Sequence, residues 1–478
     1  MTMAQQPTRN WVEVVANGSR LKYLGLTLLL AWHYCLWFVP DTFPDVFLLD
    51  DRITYSWLVA LACTGVVGFG CVFALGRKRH LTPSPALVWA VSAAGALASM
   101  GFVFAITLEW PWLADYAFSG AVGACSGLLW VMWGERLAAQ RAKFTIGRIA
   151  PTYGGFLLLA LVLAYVIPGW GCPVFVALLP LGSGLLLWAA GRGRAQQGYP
   201  HLLPRATAKA GTFSILIVCS ISFVASLVSY FAVAIVPWET LWGGTELSFT
   251  IGIALGAAAI VGVAALVHFW PEHFTVFRMF PWLLFLNVVA CALILLTVNG
   301  DGLAFMIALG VSSVFEILLM MYMGSLTLRG YTAPGVAFGL STGSIRLGIC
   351  LGNSLSLVYE RVPGLYDLAM PTTMAFLVVL AALLVPLVRQ EFALNELVRP
   401  PQNTSELDTV IAHAAAEFKL SEREREIVAA IARGYTAAAV GEKLFISTHT
   451  VNTHIQHIYD KMGIHKRSEL LNYLNKRD

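Results

Sequence analysis

Four polar side chains near the carboxyl end are spaced so that one helix would carry them together. His449, Asn452, Thr453 and Gln456 follow one another at steps of three, one and three residues, and a period of 3.6 residues brings such positions to one face. Asn and Gln can each form two hydrogen bonds with adenine, and the Thr methyl can contact the thymine methyl. The sequence therefore predicts that these four residues contact base edges in a major groove.

A second set of polar residues flanks this predicted groove face. Hydroxyl, imidazole and cationic side chains bind phosphate oxygens, which position a protein on DNA without specifying its sequence. The residues expected to contact phosphates are Ser447, Thr448, Thr450, His454, Lys461, Lys466 and Arg467.

Helix start and stop signals surround both sets. Ser421 and Ser447 are predicted N-caps, and Gly434 and Gly463 are predicted helix stops. Short helices are expected over 436–444 and 467–474, with a connecting helix over 406–418 before the block. Apolar residues at steps of four, three and four predict the buried face of the groove helix: Val451, Ile455, Ile458 and Met462.

The block over residues 419–474 resembles the LuxR-type helix-turn-helix family. Its matching positions are Leu420, Ser421, Arg423, Glu424, Glu426, Gly434, Leu444, Ile446, Ser447, Thr450, Val451, His454, Ile458, Lys461, Met462, Gly463 and Arg467. The resemblance implies binding to double-stranded DNA. Because the net charge of the tail is near neutral, we expect weak intrinsic affinity, which a homodimer on paired half-sites would restore. Two departures, Ala437-Ala438-Ala439 for the usual Asn-Lys-Glu and Asn452 for a Lys, prevent the preferred DNA site from being carried over from relatives. The alternative is a four-helix adaptor that no longer binds DNA.

The chain as a whole has the composition of a membrane protein. Hydrophobic residues make up 58% and charged residues 12% of its 478 residues, whereas soluble domains carry about 25% charged residues. Spanning helices need about 20 mostly apolar residues, and about twelve stretches qualify. They lie near 21–39, 53–75, 84–107, 112–133, 149–167, 172–190, 211–237, 247–268, 280–298, 303–325, 333–358 and 370–388. The expected fold class is all-α: a polytopic bundle of about twelve spans in a six-plus-six arrangement, followed by a small four-helix domain.

Basic loops alternate with loops that carry almost no basic residues. Arg77-Lys78-Arg79 and the stretch from Arg192 to Ala210 are basic, whereas Ile167 to Pro173 has no base. Because basic loops stay in the cytoplasm, we expect a multi-pass protein of the cell membrane, in contact with the lipid bilayer, with both termini cytoplasmic. Arg52 and Arg361 are single exceptions in outward loops.

This plan resembles the major facilitator superfamily in its even number of spans, its cytoplasmic ends and its long basic loop after span six. Of that superfamily's signature after span two, Gly76-Arg77-Lys78 remains, but Phe73 and Ala74 occupy the Asp-Arg positions. Since that loop helps to gate transport in the family, the departure puts transport in doubt. We expect a membrane bundle over 1–388, a linker and connecting helix over 389–418, and a DNA-binding domain over 419–478.

Two ionisable residues lie in the middle of predicted spans, where charge is costly and by default a functional signal. Glu316 is on the tenth span and Arg346 on the eleventh, so the two can pair, or Arg346 can hold an anionic ligand with Glu316 as a switch. A buried ion pair that only sets helix register is the alternative. His33, on the first span, is either a third pocket residue or a satisfied core histidine. Asp115 is expected at the membrane interface, in contact with solvent.

Glycines at intervals of four predict close approach of neighbouring helices. The repeats are Gly335, Gly339 and Gly343, then Gly348 and Gly352, Gly123 and Gly127, and Gly252 and Gly256. Packing within the bundle is favoured over a dimer interface.

The leading hypothesis is a one-component transcriptional regulator that senses a small molecule through the bundle and binds promoter DNA through the tail. The first alternative is a secondary transporter of the major facilitator type with a regulatory tail, and the second is a constitutive DNA-binding protein with a membrane anchor. No enzyme is predicted, because the sequence has no Walker loop, metal cluster or nucleophile elbow, and neither a cofactor nor a metal is expected. All eight cysteines lie in or beside apolar segments and are expected to be reduced.

Overall fold

The computed structural model describes residues 23–44, 51–76, 79–82, 84–140, 146–192, 198–200, 202, 205–235, 244–269, 276–296, 302–398, 404–444 and 446–475. All regular elements within these ranges are helices. A helix satisfies its backbone polar groups within the segment, which lipid requires. The all-α class expected from the sequence is confirmed.

Twelve helices of the described residues make up the membrane region, and each overlaps one of the predicted stretches. They are α1 (Leu24–Phe38), α2 (Asp51–Leu75), α3 (Pro85–Thr107), α4 (Trp112–Ala139), α5 (Ile146–Val166), α6 (Gly171–Ala190), α7 (Arg205–Ala234), α8 (Gly244–Phe269), α9 (Val276–Leu296), α10 (Gly302–Leu328), α11 (Pro334–Arg361) and α12 (Ala369–Val398). In the same residues, nine of these helices are long and apolar enough to cross a membrane, and shorter apolar segments lie in the other three, α1, α5 and α9. The last helix continues to Val398, past the predicted end of its span at 388.

Helix pairing in the bundle repeats after six helices. In the first half α2 packs on α4 and α3 on α6, and in the second half α8 packs on α10 and α9 on α12. The pairs α1–α5 and α7–α11 correspond in the same way. The two halves meet where α2 contacts α11 and where α5 contacts α8. This is the six-plus-six arrangement expected from the sequence.

Glycines allow the helices of these pairs to touch backbone to backbone. A Cβ on Gly123 of α4 would lie 2.1 Å from the Ala60 carbonyl oxygen of α2. One on Gly352 of α11 would lie 2.3 Å from the Leu227 carbonyl oxygen of α7. Both distances are far inside van der Waals contact, so a larger residue would separate the helices. The predicted role of these glycines in packing within the bundle is confirmed.

Arg52 and Arg361, the single basic residues in the loops predicted to face outward, both form ion pairs. Arg52 donates two hydrogen bonds to one carboxylate oxygen of Asp115, at 2.6 and 2.8 Å, and the Asp115 side chain is fully buried. Arg361 pairs with Asp51 at 2.9 Å on exposed surface. The expectation that Asp115 is solvated is wrong, because folding brings Arg52 of a neighbouring helix onto its carboxylate. Each exceptional base is thus neutralised by an acid.

Five shorter helices form the rest of the described chain, which we call the tail domain. They are α13 (Thr404–Glu417), α14 (Glu422–Ala432), α15 (Ala437–Leu444), α16 (Thr448–Met462) and α17 (Arg467–Asn475). Their hydrophobic core is separate from that of the bundle and includes Ile427, Val451 and Leu470. The connecting helix α13 adds Ile411 to that core, so it packs as part of the domain.

Candidate nucleic-acid interface and buried charged cluster

Helix α14 starts with a capping box. Ser421 Oγ accepts a hydrogen bond from the Glu424 backbone N–H at 3.2 Å, and the Glu424 carboxylate accepts one from the Ser421 backbone N–H at 2.6 Å. This reciprocal pair satisfies two of the N–H groups that a helix start leaves without partners. The predicted N-cap at Ser421 is confirmed.

The same carboxylate joins α14 to α16. Lys461 Nζ donates to Glu424 Oε2 at 2.6 Å, and the Glu424 side chain is 6% exposed. Burial by itself would raise the pKa of Glu424, but the hydrogen bonds from Lys461 and Ser421 outweigh it and hold that pKa below its usual value. Lys461, expected to contact phosphate, therefore has an anionic partner within the domain.

A tight turn after α15 positions α16. The Gly441 carbonyl accepts a hydrogen bond from the Ile446 N–H at 2.9 Å, and a Cβ on Gly441 would lie 2.7 Å from the Ile446 carbonyl oxygen. Ser447 then caps α16 by accepting from the Thr450 N–H at 3.0 Å. The helix ends at Gly463 with a φ of 66°, the left-handed conformation typical of a helix stop. The predicted N-cap and stop of α16 are both confirmed.

Helix α16 has one buried and one exposed face. Val451 and Ile458 are buried in the core of the tail domain. The exposed face carries the residues predicted to contact bases: His449, Asn452, Thr453 and Gln456. The Thr453 hydroxyl donates to the His449 carbonyl at 3.1 Å. The four side chains thus share one solvent-exposed face at the start of the helix.

The residues predicted to contact phosphates fall into two groups. Five are at least partly exposed around α16: Ser447, Thr448, Thr450, His454 and Lys466. The other two have partners within the tail domain, since Lys461 pairs with Glu424 and Arg467 donates to the Ile431 carbonyl at 3.3 Å. To bind a DNA phosphate, Lys461 or Arg467 would have to share its present partner with the phosphate or release it.

The tail domain lies against the membrane region. Helix α15 contacts α7, and Arg467 is close enough to Tyr331 to interact electrostatically. Tyr331 belongs to the loop that joins α10 to α11. Burial raises the pKa of the Tyr331 hydroxyl, while Arg329 and Arg467 oppose that rise. The loop between the helices that carry Glu316 and Arg346 is therefore next to the tail domain.

Glu316, Arg346 and His33, which the sequence places on three different spans, meet inside the bundle. Arg346 Nη2 donates to a Glu316 carboxylate oxygen, and Arg346 Nη1 lies 3.3 Å from His33 Nε2. Since a guanidinium only donates, His33 must accept at Nε2 and carry its proton on Nδ1. The charged side chains are each 6% exposed. The structure thus brings all three predicted pocket residues together around a buried ion pair.

Two tyrosines complete this group. The Tyr34 hydroxyl donates to the second carboxylate oxygen of Glu316 at 3.3 Å. Tyr153 of α5 is buried and close enough to both charges to interact electrostatically. We call Glu316, Arg346, His33, Tyr34 and Tyr153 the charged cluster.

An aromatic wall borders the charged cluster. Phe38 packs against Tyr34, with ring centroids 6.1 Å apart, and against Trp57 and Phe249, at 5.5 and 5.1 Å. Trp57 also packs against Tyr230 at 6.1 Å, and Tyr230 is close to both charges of the pair. We call Phe38, Trp57, Tyr230 and Phe249 the aromatic wall.

Sequence reasoning did not single out Tyr34 or Tyr153. Tyrosines in a membrane protein are expected at the interfaces, and abundance alone does not separate a buried one from the rest. Tyr34 directly follows His33, but neighbours on a helix point about 100° apart, so its contact with Glu316 does not follow from sequence adjacency. The one available signal for Tyr153 is its position well inside an apolar stretch.

A carboxylate of α4 anchors the loop that follows α2. Glu135 accepts hydrogen bonds from the Leu81 and Thr82 backbone N–H groups at 2.8 and 3.1 Å, and His80 Nδ1 lies 3.5 Å away. Arg136 donates to the Thr82 carbonyl at 3.0 Å. A neighbouring helix therefore supplies charged contacts to this loop. No feature of the sequence distinguishes Glu135.

Residues 419–474 match the model of the family described as GerE, bacterial regulatory proteins of the luxR family. The oxygen regulatory protein NreC of Staphylococcus aureus strain MRSA252 is 43% identical over 67 residues. Those residues are 14% of this chain and 31% of NreC, so the chain spans less than a third of that relative. The LuxR resemblance read from the sequence is confirmed for the tail.

Solved transporters resemble the membrane region. A bacterial homologue of the iron transporter ferroportin, in its outward-facing state, aligns over 77% of this chain and 98% of its own length, with 13% identity and a TM-score of 0.51. The human organic anion transporter MFSD10 (TETRAN) aligns over 80% of this chain and all of its own, with 15% identity and a TM-score of 0.47. At such identities the ferroportin homologue shows a shared fold and nothing about cargo. Residues 419–474 of this chain therefore form a LuxR-family helix-turn-helix domain, attached to a polytopic membrane region that shares its fold with the bacterial ferroportin homologue.

Proposed function

We propose that this chain is a membrane-embedded one-component transcriptional regulator: the bundle senses a small molecule and the tail domain binds promoter DNA. One observation carries the proposal, the solvent-exposed polar face of α16 in a domain that matches the LuxR family. A helix with this arrangement enters a major groove with its amino-terminal residues against the bases. Regulation of transcription follows from DNA binding by a domain of this family.

We assign two kinds of DNA contact to the tail domain. His449, Asn452, Thr453 and Gln456 read base edges, and Ser447, Thr448, Thr450, His454, Lys461, Lys466 and Arg467 contact phosphates. A homodimer on paired half-sites would add the affinity of two such domains. The bundle over 1–388 is then the sensor and 419–478 the DNA reader, and 389–418 connects them through helix α13, which packs on the reader.

Both termini lie in the cytoplasm under this proposal, and the bundle lies in the cell membrane. Support comes from the basic loops, which stay on the cytoplasmic side, and from the even number of apolar helices, twelve, among the described residues. The genome and the tail domain are then in the same compartment.

The same geometry suggests how the bundle and the tail domain communicate. Glu316 is on α10 and Arg346 on α11, and the loop that joins these helices carries Tyr331, which is close to Arg467. A ligand that acts on the Glu316–Arg346 pair, with His33 beside it, would shift both helices and this loop together. The coupling requires that the ligand bind two conformations with different affinity.

DNA binding by the full chain in lipid nanodiscs tests the proposal. Genome-wide mapping in the host supplies the promoter fragment, and a double variant, Thr453→Ala with Gln456→Ala, removes two groove contacts. One good bidentate contact is worth about 1–3 kcal/mol of discrimination, so we expect a loss of roughly tenfold to hundredfold in specific affinity.

A control variant separates groove contacts from general damage. His413→Ala with Glu422→Ala changes two exposed side chains outside α16, and specific affinity should stay unchanged. The dependence of affinity on salt should also persist in the α16 variant, because phosphate contacts set that dependence. Unchanged binding by the α16 variant would refute the groove assignment.

A secondary transporter with a regulatory tail is the second candidate, favoured by the fold shared with transporters. Uptake by proteoliposomes separates the two. Robust transport that persists after deletion of residues 402–478 would favour the transporter, and no uptake together with specific DNA binding would favour the regulator.

A further inference from the structure

The charged cluster has more hydrogen-bond donors than acceptors. Arg346 has five N–H groups, and its contacts with Glu316 and His33 use two of them. Both carboxylate oxygens of Glu316 already accept, one from Arg346 and the other from Tyr34. A further molecule in this place would therefore meet free donors and an occupied carboxylate.

Buried polar atoms without partners also indicate that this site is incomplete without a further molecule. Among the described residues, the Tyr153 hydroxyl lies beside that of Tyr34 without meeting the geometry of a hydrogen bond, and Tyr153 is 1% exposed. Trp57 Nε1 and Thr342 Oγ1 are also buried without a partner there, and Thr342 precedes Arg346 by one helical turn. An unsatisfied buried polar group destabilises the folded protein. Tyr153 interacts electrostatically with Arg346, and Thr342 lies one turn before it, so these unsatisfied groups indicate a site at which a ligand supplies acceptor atoms.

The aromatic wall sets the shape of the apolar part of such a ligand. Phe38 and Phe249 are stacked, with an interplanar angle of 29°, while Phe38 and Trp57 meet edge to face. Flat rings in these arrangements favour a further planar ring over a branched aliphatic group. Aromatic rings next to a guanidinium suit a molecule with one planar end and one anionic end.

We propose that the charged cluster binds a small organic carboxylate that carries an aromatic ring. Its carboxylate accepts from Arg346 and Tyr153, and its ring packs against Phe38 and Trp57. The proposal rests on the ligand-sensing function proposed above and names the class of ligand. A cationic amine is disfavoured because Arg346 repels it and both Glu316 oxygens have donors. A single guanidinium shared with Glu316 suits a monoanion better than a dianion.

The proposal predicts opposite effects for two substitutions. Glu316→Gln removes the negative charge next to the bound carboxylate, and like charges in such proximity cost several kcal/mol. Carboxylate affinity should therefore rise at least about tenfold. Tyr153→Phe removes one charge-assisted hydrogen bond, so affinity should fall about tenfold. The melting temperature of the ligand-free protein should not fall in Tyr153→Phe, because the lost hydroxyl has no partner among the described residues.

Calorimetric titration of the full chain in lipid nanodiscs, without DNA, tests these effects. The probes are three aromatic carboxylates (3-phenylpropionate, phenylacetate and benzoate), butyrate as the carboxylate without a ring, and 3-phenylpropylamine as the ring with a cation. The control variant is Tyr165→Phe, on the same helix as Tyr153, whose hydroxyl pairs with Thr250 at 2.7 Å. We expect 3-phenylpropionate to bind more tightly than butyrate, no binding of the amine, and no change in affinity in the control.

Three results would overturn the proposal. One is no binding of 3-phenylpropionate, benzoate or phenylacetate to either the wild type or Glu316→Gln. Another is equal binding of the amine, and the third is equal affinity of Tyr153→Phe and the wild type. The titration contains no DNA. A negative titration would therefore not affect the DNA-binding test of α16, and a negative DNA-binding test would not affect the titration.

Discussion

Substitution of Glu424 should weaken the tail domain in two separable steps. Glu424→Gln keeps an acceptor for the Ser421 N–H, since Gln also forms capping boxes, but it loses the ion pair with Lys461. That pair joins a carboxylate that is 6% exposed to an ammonium that is 39% exposed. Because the carboxylate is buried, we expect this ion pair to stabilise the domain by about 1 kcal/mol, which is more than a typical surface pair contributes. Glu424→Ala also removes the capping acceptor and should cost about 2 kcal/mol in total.

Hydrogen exchange of the full chain in nanodiscs measures this loss where it occurs. Amides of α14 and α16 should exchange about fivefold faster in Glu424→Gln and about thirtyfold faster in Glu424→Ala, since 1.4 kcal/mol corresponds to tenfold. Glu426→Gln is the matched control, because it makes the same charge change on the same helix. Glu426 pairs with Arg423 where both side chains are more than a third exposed, so its loss should change exchange by less than about twofold.

The pH dependence provides a second readout of the same pair. The pKa of Glu424 is lowered in the folded protein, so its contribution to stability is fully present above the ordinary glutamate pKa, about 4.3. The contribution is lost as the pH falls through the lower folded pKa. Protection of α16 should therefore fall with acid in the wild type more than in Glu424→Gln. Equal exchange rates in Glu424→Gln and Glu426→Gln would refute the assignment of this pair as a structural link.

Two further predictions concern the bundle. Gly352→Ala should lower the melting temperature strongly, since the added Cβ would meet the Leu227 carbonyl at 2.3 Å, whereas Gly155→Ala, where nothing lies within 4 Å, should leave it unchanged or raise it. Equal shifts would contradict the backbone contact between α7 and α11. Asp115→Asn should destabilise the chain by about 3–5 kcal/mol, because it leaves the Arg52 charge without its buried partner. Asp51→Asn, at an exposed pair with Arg361, should destabilise the chain far less than Asp115→Asn. Comparable losses of unfolding free energy in the two variants would contradict the difference in burial.

Most of the fold could be predicted from the sequence because its signals are local. Each apolar stretch is long enough to form a spanning helix by itself, so all twelve helices of the described bundle overlap predicted ones. Ser421, Ser447 and Gly463 act on backbone groups within a few residues, and their capping roles were predicted for the same reason. The polar and apolar faces of α16 follow from one helical period.

Contacts between distant residues could not be predicted in the same way. Asp115 was expected to be solvated, yet Arg52, from a helix that is a neighbour only in the fold, pairs with it. Lys461 was assigned to phosphate because cations near a groove face usually contact DNA, and its pairing with Glu424 depends on how α14 crosses α16. Glu135 had no signal, since its partners are backbone groups of a loop.

An apolar, helical membrane region followed by a helix-turn-helix tail can be predicted from the sequence alone, because hydropathy and helical periodicity are local properties of the chain. The sequence also shows that Glu316, Arg346 and His33 are unusual, since ionisable groups are rare inside apolar stretches. That these three residues meet, that Tyr34 and Tyr153 join them, and that the aromatic wall lies beside them depends on how the helices pack. The physical reason is that helix packing, and not spacing along one helix, brings residues 33, 153, 316 and 346 into one buried place.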